Sequence, residues 1–272
     1  MREYTRPARR QPVDRYFIPG SVDHPLNERR MRLAILSDIH GNLLALEAVL
    51  ADLKTRSVDS TVNLGDCVTS PLWPRETLEL LDTLDLPTVR GNHDRWIAER
   101  TPPQMTKSMQ FTFASLSPEQ IARLGSLPST LQLGHDVLAV HGTPEDDNEY
   151  LLEEIADGRL ANATRSTIDR RLGGRSDSLI LCGHSHYQHA AHGSANRLVV
   201  NPGSVGCPRY ADDEHPHGRE ASSPHARYAI ATRRSRRWDV DLFALAYDWV
   251  AVADQARLNG RDDFAEAFLG DS

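Results

Sequence analysis

Cysteine is scarce in this chain of 272 residues, which has only Cys67, Cys182 and Cys207 and no CxxC spacing. Three such thiols exclude a disulfide framework and favour a reducing compartment, so we expect a cytoplasmic protein. Long apolar runs are also missing, since the longest have the length of a strand, and we therefore expect no transmembrane helix. The charged N-terminus has no apolar core of the kind that a secretory signal needs.

Positive charge is scarce outside the first 32 residues. The net charge of the chain is −7 at pH 7. Residues 1–32 hold eight arginines and four acidic residues, net +4, which leaves −11 on residues 33–272. Binding to a nucleic-acid backbone depends on lysine and arginine, so this acidic body disfavours nucleic-acid partners. The excess of carboxylates is suited instead to holding cations.

The first 30 residues differ in composition from the rest of the chain. They contain four prolines, many arginines and no periodic apolar pattern, which predicts a disordered basic extension over residues 1–30. A basic anchoring arm is the alternative interpretation. Over residues 31–272 short apolar runs alternate with helical patterns and later pair as hairpins, so we expect one domain with a mixed-sheet α/β fold. The prediction includes a third strand over residues 87–90 and a helix over residues 148–156.

Side chains that can bind metal follow five predicted strands, at the point where each strand ends. The seven are Asp38 with His40, Asp66, Asn92 of the fragment Gly-Asn-His-Asp, His141, and His184 with His186. Because the carboxyl ends of parallel strands meet at one crevice, we expect these side chains to lie together. Each fragment alone is typical of a turn, but five of them in this order favour a metal site.

The types of these side chains indicate which metals they suit. Carboxylate, imidazole and amide oxygen are ligands for Mn, Fe, Zn, Co or Ni, and the lack of thiolate disfavours a closed structural zinc site. Seven ligands are more than one tetrahedral ion needs, and they suit two ions about 3.5–4 Å apart that share one carboxylate. We therefore predict two divalent metal ions, with manganese favoured and Fe, Zn, Ni, Co or Mg as alternatives.

The order of these fragments resembles a known motif order. Asp-x-His, Gly-Asp, Gly-Asn-His-Asp, His and Gly-His-x-His are arranged as in the calcineurin-like metallophosphoesterase superfamily, over about residues 31–245. Residues 141–144 (His-Gly-Thr-Pro) and 201–204 (Asn-Pro-Gly-Ser) make the chain most similar to the compact bacterial and archaeal phosphodiesterases of that superfamily. The resemblance implies an α/β fold, a four-layer α/β/β/α sandwich of two mixed β-sheets. It also suggests a homo-oligomer.

The resemblance also implies a role for each candidate residue. Asp38, His40 and His186 would hold one metal ion, Asn92, His141 and His184 would hold the other, and Asp66 would bridge the two. His93 would be the general acid that protonates the leaving group. Two such ions lower the pKa of a shared water from 15.7 towards about 7, which supplies a bridging hydroxide for attack on phosphorus.

The activity that follows is hydrolysis of a phosphoric ester, and we expect a metal-dependent phosphodiesterase. A phosphomonoesterase with the same site is the alternative, followed by a nuclease and by a non-catalytic protein-binding scaffold of the same fold. The acidic body disfavours the nuclease, and the scaffold is disfavoured because this chain keeps every ligand and His93. We expect a small phosphate ester as substrate, with neither a membrane nor nucleic acid as a partner.

One departure from the superfamily concerns the general acid. The eukaryotic phosphoprotein phosphatases carry an aspartate three residues after the bridging one, where this chain has Thr69, and a glutamate where it has Asp94. The difference disfavours a protein phosphatase and leaves open what orients His93. Asp94 is one candidate for that role, although capping of the next helix is the favoured prediction.

Two residues shortly after Asp66 are candidates for substrate binding. Trp73 could stack on a base or ring, and Arg75 could bind phosphate. The alternatives are that Trp73 packs locally and that Arg75 is solvated at the start of a helix.

Overall fold

The structure is a computed structural model that describes residues 31–156, 159–207, 223–235 and 237–269. The basic extension predicted over residues 1–30 lies outside the described residues. Within the described ranges, no helix combines the length and the apolar character that crossing a membrane requires.

The described part of the chain contains strands that form sheets and helices that flank them. The strands are β1 (Arg32–Leu36), β2 (Ser60–Asn63), β3 (Thr130–Leu133), β4 (Val137–Val140), β5 (Glu153–Ala156), β6 (Arg159–Asn162), β7 (Leu179–Leu181), β8 (His189–His192), β9 (Leu198–Asn201), β10 (Ala226–Arg234) and β11 (Arg237–Leu245). The helices are α1 (Leu43–Leu53), α2 (Pro74–Leu84), α3 (Asn92–Glu99), α4 (Lys107–Ser115), α5 (Pro118–Gly125), α6 (Arg165–Arg171), α7 (Trp249–Leu258) and α8 (Asp262–Leu269).

Two larger sheets are formed, and both are mixed. The first has the order β11-β10-β1-β2, in which β1 pairs parallel to β2 and antiparallel to β10. The second has the order β3-β4-β7-β9-β8, with β4, β7 and β9 parallel and the two edge strands antiparallel to their neighbours. A separate pair is formed by β5 and β6. The mixed-sheet prediction is confirmed.

The alternation of side chains along β1 shows how the layers are built. Leu33 and Ile35 lie in a core cluster together with Leu179 and Leu181 of β7, so this cluster fills the space between the two sheets. Ala34 and Leu36 lie in a second cluster, on the other face of the same sheet. Successive residues of a strand point to opposite faces, and a strand buried on both faces therefore reads as a continuous apolar run.

Helices cover the outer faces of both sheets. Leu46 and Val49 of α1 pack on the first sheet, and Ile168 of α6 packs against Leu138 and Ile180 on the second. The resulting order is helices, sheet, sheet and helix. The four-layer α/β/β/α sandwich is confirmed.

Two predicted elements are wrong. Residues 87–90 form no strand, and Thr88 makes a single bridge to Asn63, because the chain then turns away and the Arg90 amide donates to the Pro128 carbonyl at 2.7 Å. Residues 148–156 form no helix, and their last four residues form β5, which is paired with β6. Tertiary pairing overrides the local helical pattern there.

Candidate metal centre

Most of the candidate ligands lie in an uncommon backbone conformation. Five of them have a φ between 45° and 68°, namely Asp38, His40, Asp66, His184 and His186. This left-handed region costs residues with a β-carbon about 1–2 kcal/mol each, although Asp and His enter it more often than most. Backbone strain is thus concentrated at the loops that follow β1, β2 and β7, which is typical of functional sites.

Backbone hydrogen bonds hold the loop after β1 against the loop after β2. The amides of Asp38 and His40 donate to the carbonyls of Gly65 and Asp66, at 3.0 and 2.9 Å. These bonds extend the parallel pairing of β1 and β2 beyond the strands themselves. The Asp-x-His and Gly-Asp fragments are therefore fixed side by side.

A first ligand group gathers two carboxylates and two imidazoles. It consists of Asp38, His40, Asp66 and His186, which each offer one ligand atom within 4.8 Å of the others. All four residues are at most 6% exposed. Asp38 Oδ1 lies 3.3 Å from His186 Nε2, and Asp66 Oδ2 lies 3.6 Å from His40 Nε2. The spacing is that of a cation site rather than of a packed core.

The hydrogen bonds of the two imidazoles determine which nitrogen faces the group. His40 Nδ1 donates to the Thr69 carbonyl at 3.0 Å, and His186 Nδ1 donates to the Cys207 carbonyl at 2.9 Å. A carbonyl only accepts, so Nδ1 carries the hydrogen in both rings and Nε2 of the neutral ring carries a lone pair. The two Nε2 atoms are only 3.1 Å apart. Two lone pairs at that distance repel unless a cation or a proton lies between them.

A second ligand group lies on the other side of Asp66. His141 Nδ1 donates to the Leu64 carbonyl at 2.7 Å, so Nε2 of the neutral ring again carries a lone pair. That atom is 2.9 Å from Asn92 Oδ1 and 3.4 Å from Asp66 Oδ2. Here too acceptor atoms face one another. Asp66 Oδ2 therefore lies between the two groups, while its Oδ1 is held by the His93 amide at 2.9 Å.

His184 joins the second ligand group through a different hydrogen bond. Its Nε2 donates to the Asn148 carbonyl at 3.0 Å, so the lone pair of the neutral ring is on Nδ1. Its ring lies 4.8 Å from the ring of Tyr150 and 5.3 Å from that of His141. Its amide donates to Asp38 Oδ2 at 3.2 Å, which ties the loop after β7 to the loop after β1.

The charges of the cluster shift its pKa values strongly. Burial opposes ionisation of Asp38, but the neighbouring His186 and His141 outweigh it and lower its pKa to about 2. Burial likewise opposes protonation of His141, but Asp66 and Asp38 outweigh it and raise its pKa to about 10. Burial prevails at His40 and lowers its pKa to about 4. The cluster thus attracts positive charge, which protons supply when no metal is bound.

These residues fit divalent metal ions. Carboxylate oxygens, imidazole nitrogens and an amide oxygen face the same buried space. Backbone carbonyls bind the Nδ1 atoms of His40, His141 and His186, which leaves the Nε2 atoms of these rings facing that space. The sequence predicted the side chains in this cluster but not the groups that orient them. The carbonyls of Leu64, Thr69, Cys207 and Asn148 do so, and a backbone carbonyl carries no signal in the sequence.

Comparison with known proteins identifies the family. The profile of the calcineurin-like phosphoesterase superfamily domain matches residues 31–217, more than half of the chain. The chain belongs to this superfamily. The resemblance seen in the motifs is confirmed. Members of this phosphoesterase superfamily use divalent metal ions.

Two proteins illustrate the similarity to other members of the calcineurin-like phosphoesterase superfamily. The uncharacterized protein MJ0912 of Methanocaldococcus jannaschii is 30% identical in an alignment of 201 residues that covers 65% of this chain and 77% of MJ0912. A crystal structure of a metallophosphoesterase from Sphaerobacter thermophilus is 27% identical over 89% of this chain and 99% of its own. The two structures superimpose with a TM-score of 0.68, so the fold is shared.

The residue predicted to be the general acid lies at the edge of the cluster. His93 is in the first turn of α3 and is 9% exposed. Its ring lies 5.2 Å from the ring of His40 and 4.9 Å from that of Trp96. Thr69, at the position of the aspartate in the phosphoprotein phosphatases, instead holds His40 through its carbonyl. The role of His93 stays a prediction.

Asp94 caps α3 and also holds the loop after β2. Its carboxylate accepts from the amide of Gly91, before the helix, at 3.0 Å. It also accepts from the amides of Asp66 and Cys67, at 2.8 and 3.0 Å. Capping, the favoured prediction, is therefore combined with support of Asp66.

Trp73 and Arg75 line a different part of the surface. Trp73 packs against the cluster formed by Leu72 and the C-terminal helices α7 and α8. Arg75 Nε donates to the Ser115 carbonyl at 2.7 Å. Both border a cavity of about 370 Å³ between α4 and α7. These contacts are those of local packing, and a role in substrate binding stays a prediction.

Proposed function

We propose that this protein is a phosphodiesterase that hydrolyses a small phosphate ester with two divalent metal ions, of which manganese is the favoured one. The observation that carries the proposal is the position of Asp66 Oδ2, 3.6 Å from His40 Nε2 and 3.4 Å from His141 Nε2. One oxygen that faces two ligand groups suits a bridge between two ions. The similarity to the Sphaerobacter metallophosphoesterase supports the class of reaction.

Each group of residues would have a distinct part in the reaction. When bound, the two ions would lower the pKa of a water between them and neutralise the oxygens of the phosphate. His93 would donate a proton to the leaving oxygen, which is typically worth about 10²–10⁴ in rate. The His93 amide donates to Asp66 Oδ1, so this hydrogen bond ties the turn that carries the acid to the bridging carboxylate.

The charges around the site support a diester over a monoester. A monoester has up to two negative charges, and a diester has one. The two arginines that flank the Asn92-His93 pair already have partners: Arg95 is bonded to Asp147, and Arg90 donates to the Gly125 carbonyl at 3.1 Å. Neither arginine is therefore placed to compensate the second negative charge of a monoester, which favours the singly charged diester. The net −11 of residues 33–272 favours a small substrate over nucleic acid.

The test compares bis(p-nitrophenyl) phosphate with p-nitrophenyl phosphate, with Mn²⁺ and after removal of metal by EDTA. We expect a higher kcat/KM for the diester and loss of both activities in EDTA. Faster hydrolysis of the monoester would replace the phosphodiesterase by a phosphomonoesterase. No hydrolysis of either ester with any divalent metal would contradict the enzymatic function and favour a binding scaffold.

Asp66→Asn tests the bridge itself. The amide oxygen of the variant must accept from the His93 amide, which leaves the NH₂ group facing both ligand groups, where it repels cations. We expect kcat/KM to fall about 100-fold or more and the number of bound Mn²⁺ ions to drop. Asn92→Asp, which keeps an oxygen facing His141, is the matched control and should retain more activity. Normal turnover with two bound ions in Asp66→Asn would refute the assignment.

A further inference from the structure

The loop that follows β4 returns to the second ligand group at Asn148, a residue outside the five motifs. Within this loop the Thr143 amide donates to the Asp146 carbonyl, and the Asn148 amide donates to Asp146 Oδ1, both at 2.8 Å. A β-carbon on Gly142 would lie 2.6 Å from the same Asp146 carbonyl oxygen, so the loop closes tightly over a glycine. This compact turn carries Asn148 back to the site.

A partly buried ion pair fixes the loop to α3. Arg95 Nε and Nη2 donate to the two carboxylate oxygens of Asp147, at 2.8 and 2.6 Å. The Asp147 side chain is only 8% exposed, so this two-pronged contact is better defined than most surface pairs. Arg95 follows Asn92 by three residues, about one helical turn. The neighbouring Asn148 is therefore held at a fixed distance from Asn92.

The side chain of Asn148 holds the NH₂ group of the Asn92 amide. Asn92 Nδ2 donates to Asn148 Oδ1 at 3.2 Å, which leaves Asn92 Oδ1 facing His141 Nε2. Without an acceptor at residue 148, the Asn92 NH₂ group loses this hydrogen bond, and the amide could turn over so that its NH₂ group faces the ligand group in place of Oδ1. The turned amide would offer a cation no oxygen. The carbonyl of Asn148 meanwhile holds His184 at 3.0 Å, so one residue contacts two members of the second ligand group.

We propose that Asn148 is a positioning residue that selects the metal-binding orientation of Asn92 and so sets the affinity of the second ligand group for its ion. The inference rests on the proposed dinuclear function and deepens it. Asn148 acts through Asn92 and contacts no ion itself. Its side chain and its backbone act separately, since substitution of the side chain leaves the carbonyl that holds His184 in place.

The test is equilibrium dialysis of the full chain against Mn²⁺ alone, with metal analysis and low-temperature EPR to distinguish isolated from paired ions. The variant Asn148→Leu has a similar size and no acceptor, whereas Asn148→Asp keeps the acceptor. Asn259→Leu is the matched control, because it removes two hydrogen bonds, to the carbonyls of Pro71 and Leu72, away from the ligands. Thermal unfolding in EDTA shows whether each variant is folded.

We expect two ions in the unmodified chain and a second ion bound about 10–100-fold more weakly by Asn148→Leu, with the signal of paired ions reduced. Asn148→Asp and Asn259→Leu should keep both ions. The inference is overturned if Asn148→Leu binds both ions normally, or if Asn148→Asp or Asn259→Leu loses the second ion to the same extent. Fewer than two ions in the unmodified chain would overturn the dinuclear function as well, so the two failures are distinguishable.

Discussion

The substitution Gly183→Ala tests how closely the loops of the metal centre pack. A β-carbon at this position would lie 2.0 Å from Ser37 Oγ and 2.9 Å from Asp38 Oδ2. Ser37 and Asp38 are fully buried, so neither side chain can turn into solvent. The backbone of Gly183 lies outside the left-handed region, so alanine adds volume without a change in backbone preference. The loop after β7 must therefore move away from the loop after β1.

The expected magnitude follows from the overlap. An extra methyl group in a close-packed interior costs about 1–3 kcal/mol, and both close contacts here are with buried atoms. We expect the free energy of unfolding to fall by about 2 kcal/mol. Asp38 Oδ2 also accepts from the His184 amide at 3.2 Å, so the displacement separates the two ligand groups. The affinity for Mn²⁺ should fall about tenfold or more.

Urea unfolding in EDTA measures the stability, and dialysis against Mn²⁺ measures the binding. The control is Gly193→Ala, whose β-carbon would meet only the side chains of Asp169 and Arg197, at 3.2 and 3.3 Å, and should change stability by less than about 0.5 kcal/mol. Adding Ser37→Ala to Gly183→Ala removes the oxygen that overlaps most and should recover about 1 kcal/mol. Equal effects of the two glycine substitutions, or no recovery, would refute the reasoning.

Three further predictions concern stability. The buried Tyr228 hydroxyl donates to Asp52, whose pKa is lowered by Arg56 and Tyr228 in spite of burial. Tyr228→Phe should lower the free energy of unfolding in urea by about 1 kcal/mol at pH 7. The difference in stability between the two proteins should shrink as pH falls below 3.8, the usual pKa of Asp, and a constant difference would contradict this. Asp85, at the end of α2, has a φ of 47°, so Asp85→Gly should stabilise the protein by about 0.5–1 kcal/mol, and a lower urea midpoint would oppose it. Mn²⁺ at 100 times its Kd should stabilise the folded chain by about 2.7 kcal/mol per site, measured as a rise in Tm over EDTA, and an unchanged Tm would argue against a metal site.

The layers of the fold were predictable because short-range patterns and long-range packing agree. The apolar run of β1 is buried on both faces, as the run itself predicts. The hairpin of β3 and β4 and that of β10 and β11 both follow from apolar runs separated by a short polar turn. Where local and global preferences coincide, a single sequence suffices.

The segment 148–156, where the predicted helix is absent, shows a conflict between local and global preferences. Leu151, Leu152 and Ile155 have a spacing that is typical of a helical face. In the structure Leu151 and Leu152 are both buried against the second sheet, whereas Ile155 is 51% exposed and pairs with Leu160 of β6. This segment also carries Asn148 to the candidate metal centre. A prediction that starts a helix at Asn148 therefore gives no indication of its contact with Asn92.

The candidate site was predictable only as far as side chains carry the chemistry. Asp38, His40 and the other candidate ligands were predicted to lie together because carboxylates and imidazoles at strand ends are a pattern of residue types. The groups that orient them are mostly backbone atoms, and Thr69 contributes a carbonyl that any residue would supply. The amide of Asn92 is oriented by Asn148, 56 residues away along the chain. Such a contact becomes visible only once the fold is known.

The left-handed backbone of Asp38 and His40 explains how two residues so close in sequence can bring their ligand atoms together. In an extended strand Asp38 and His40 would be about 6.6 Å apart on the same face, because the rise is about 3.3 Å per residue. With both residues left-handed, their ligand atoms lie within 4.8 Å of one another.

Five such residues cost about 5–10 kcal/mol in backbone preference, which is comparable to the whole stability of a typical domain. Hydrogen bonds within the protein must therefore hold the loops before any ion arrives, as the bond from the Asp38 amide to the Gly65 carbonyl does. Glycine at position 40 or 186 would relieve the strain but remove an imidazole from the candidate site, so we expect a more stable chain that binds Mn²⁺ more weakly.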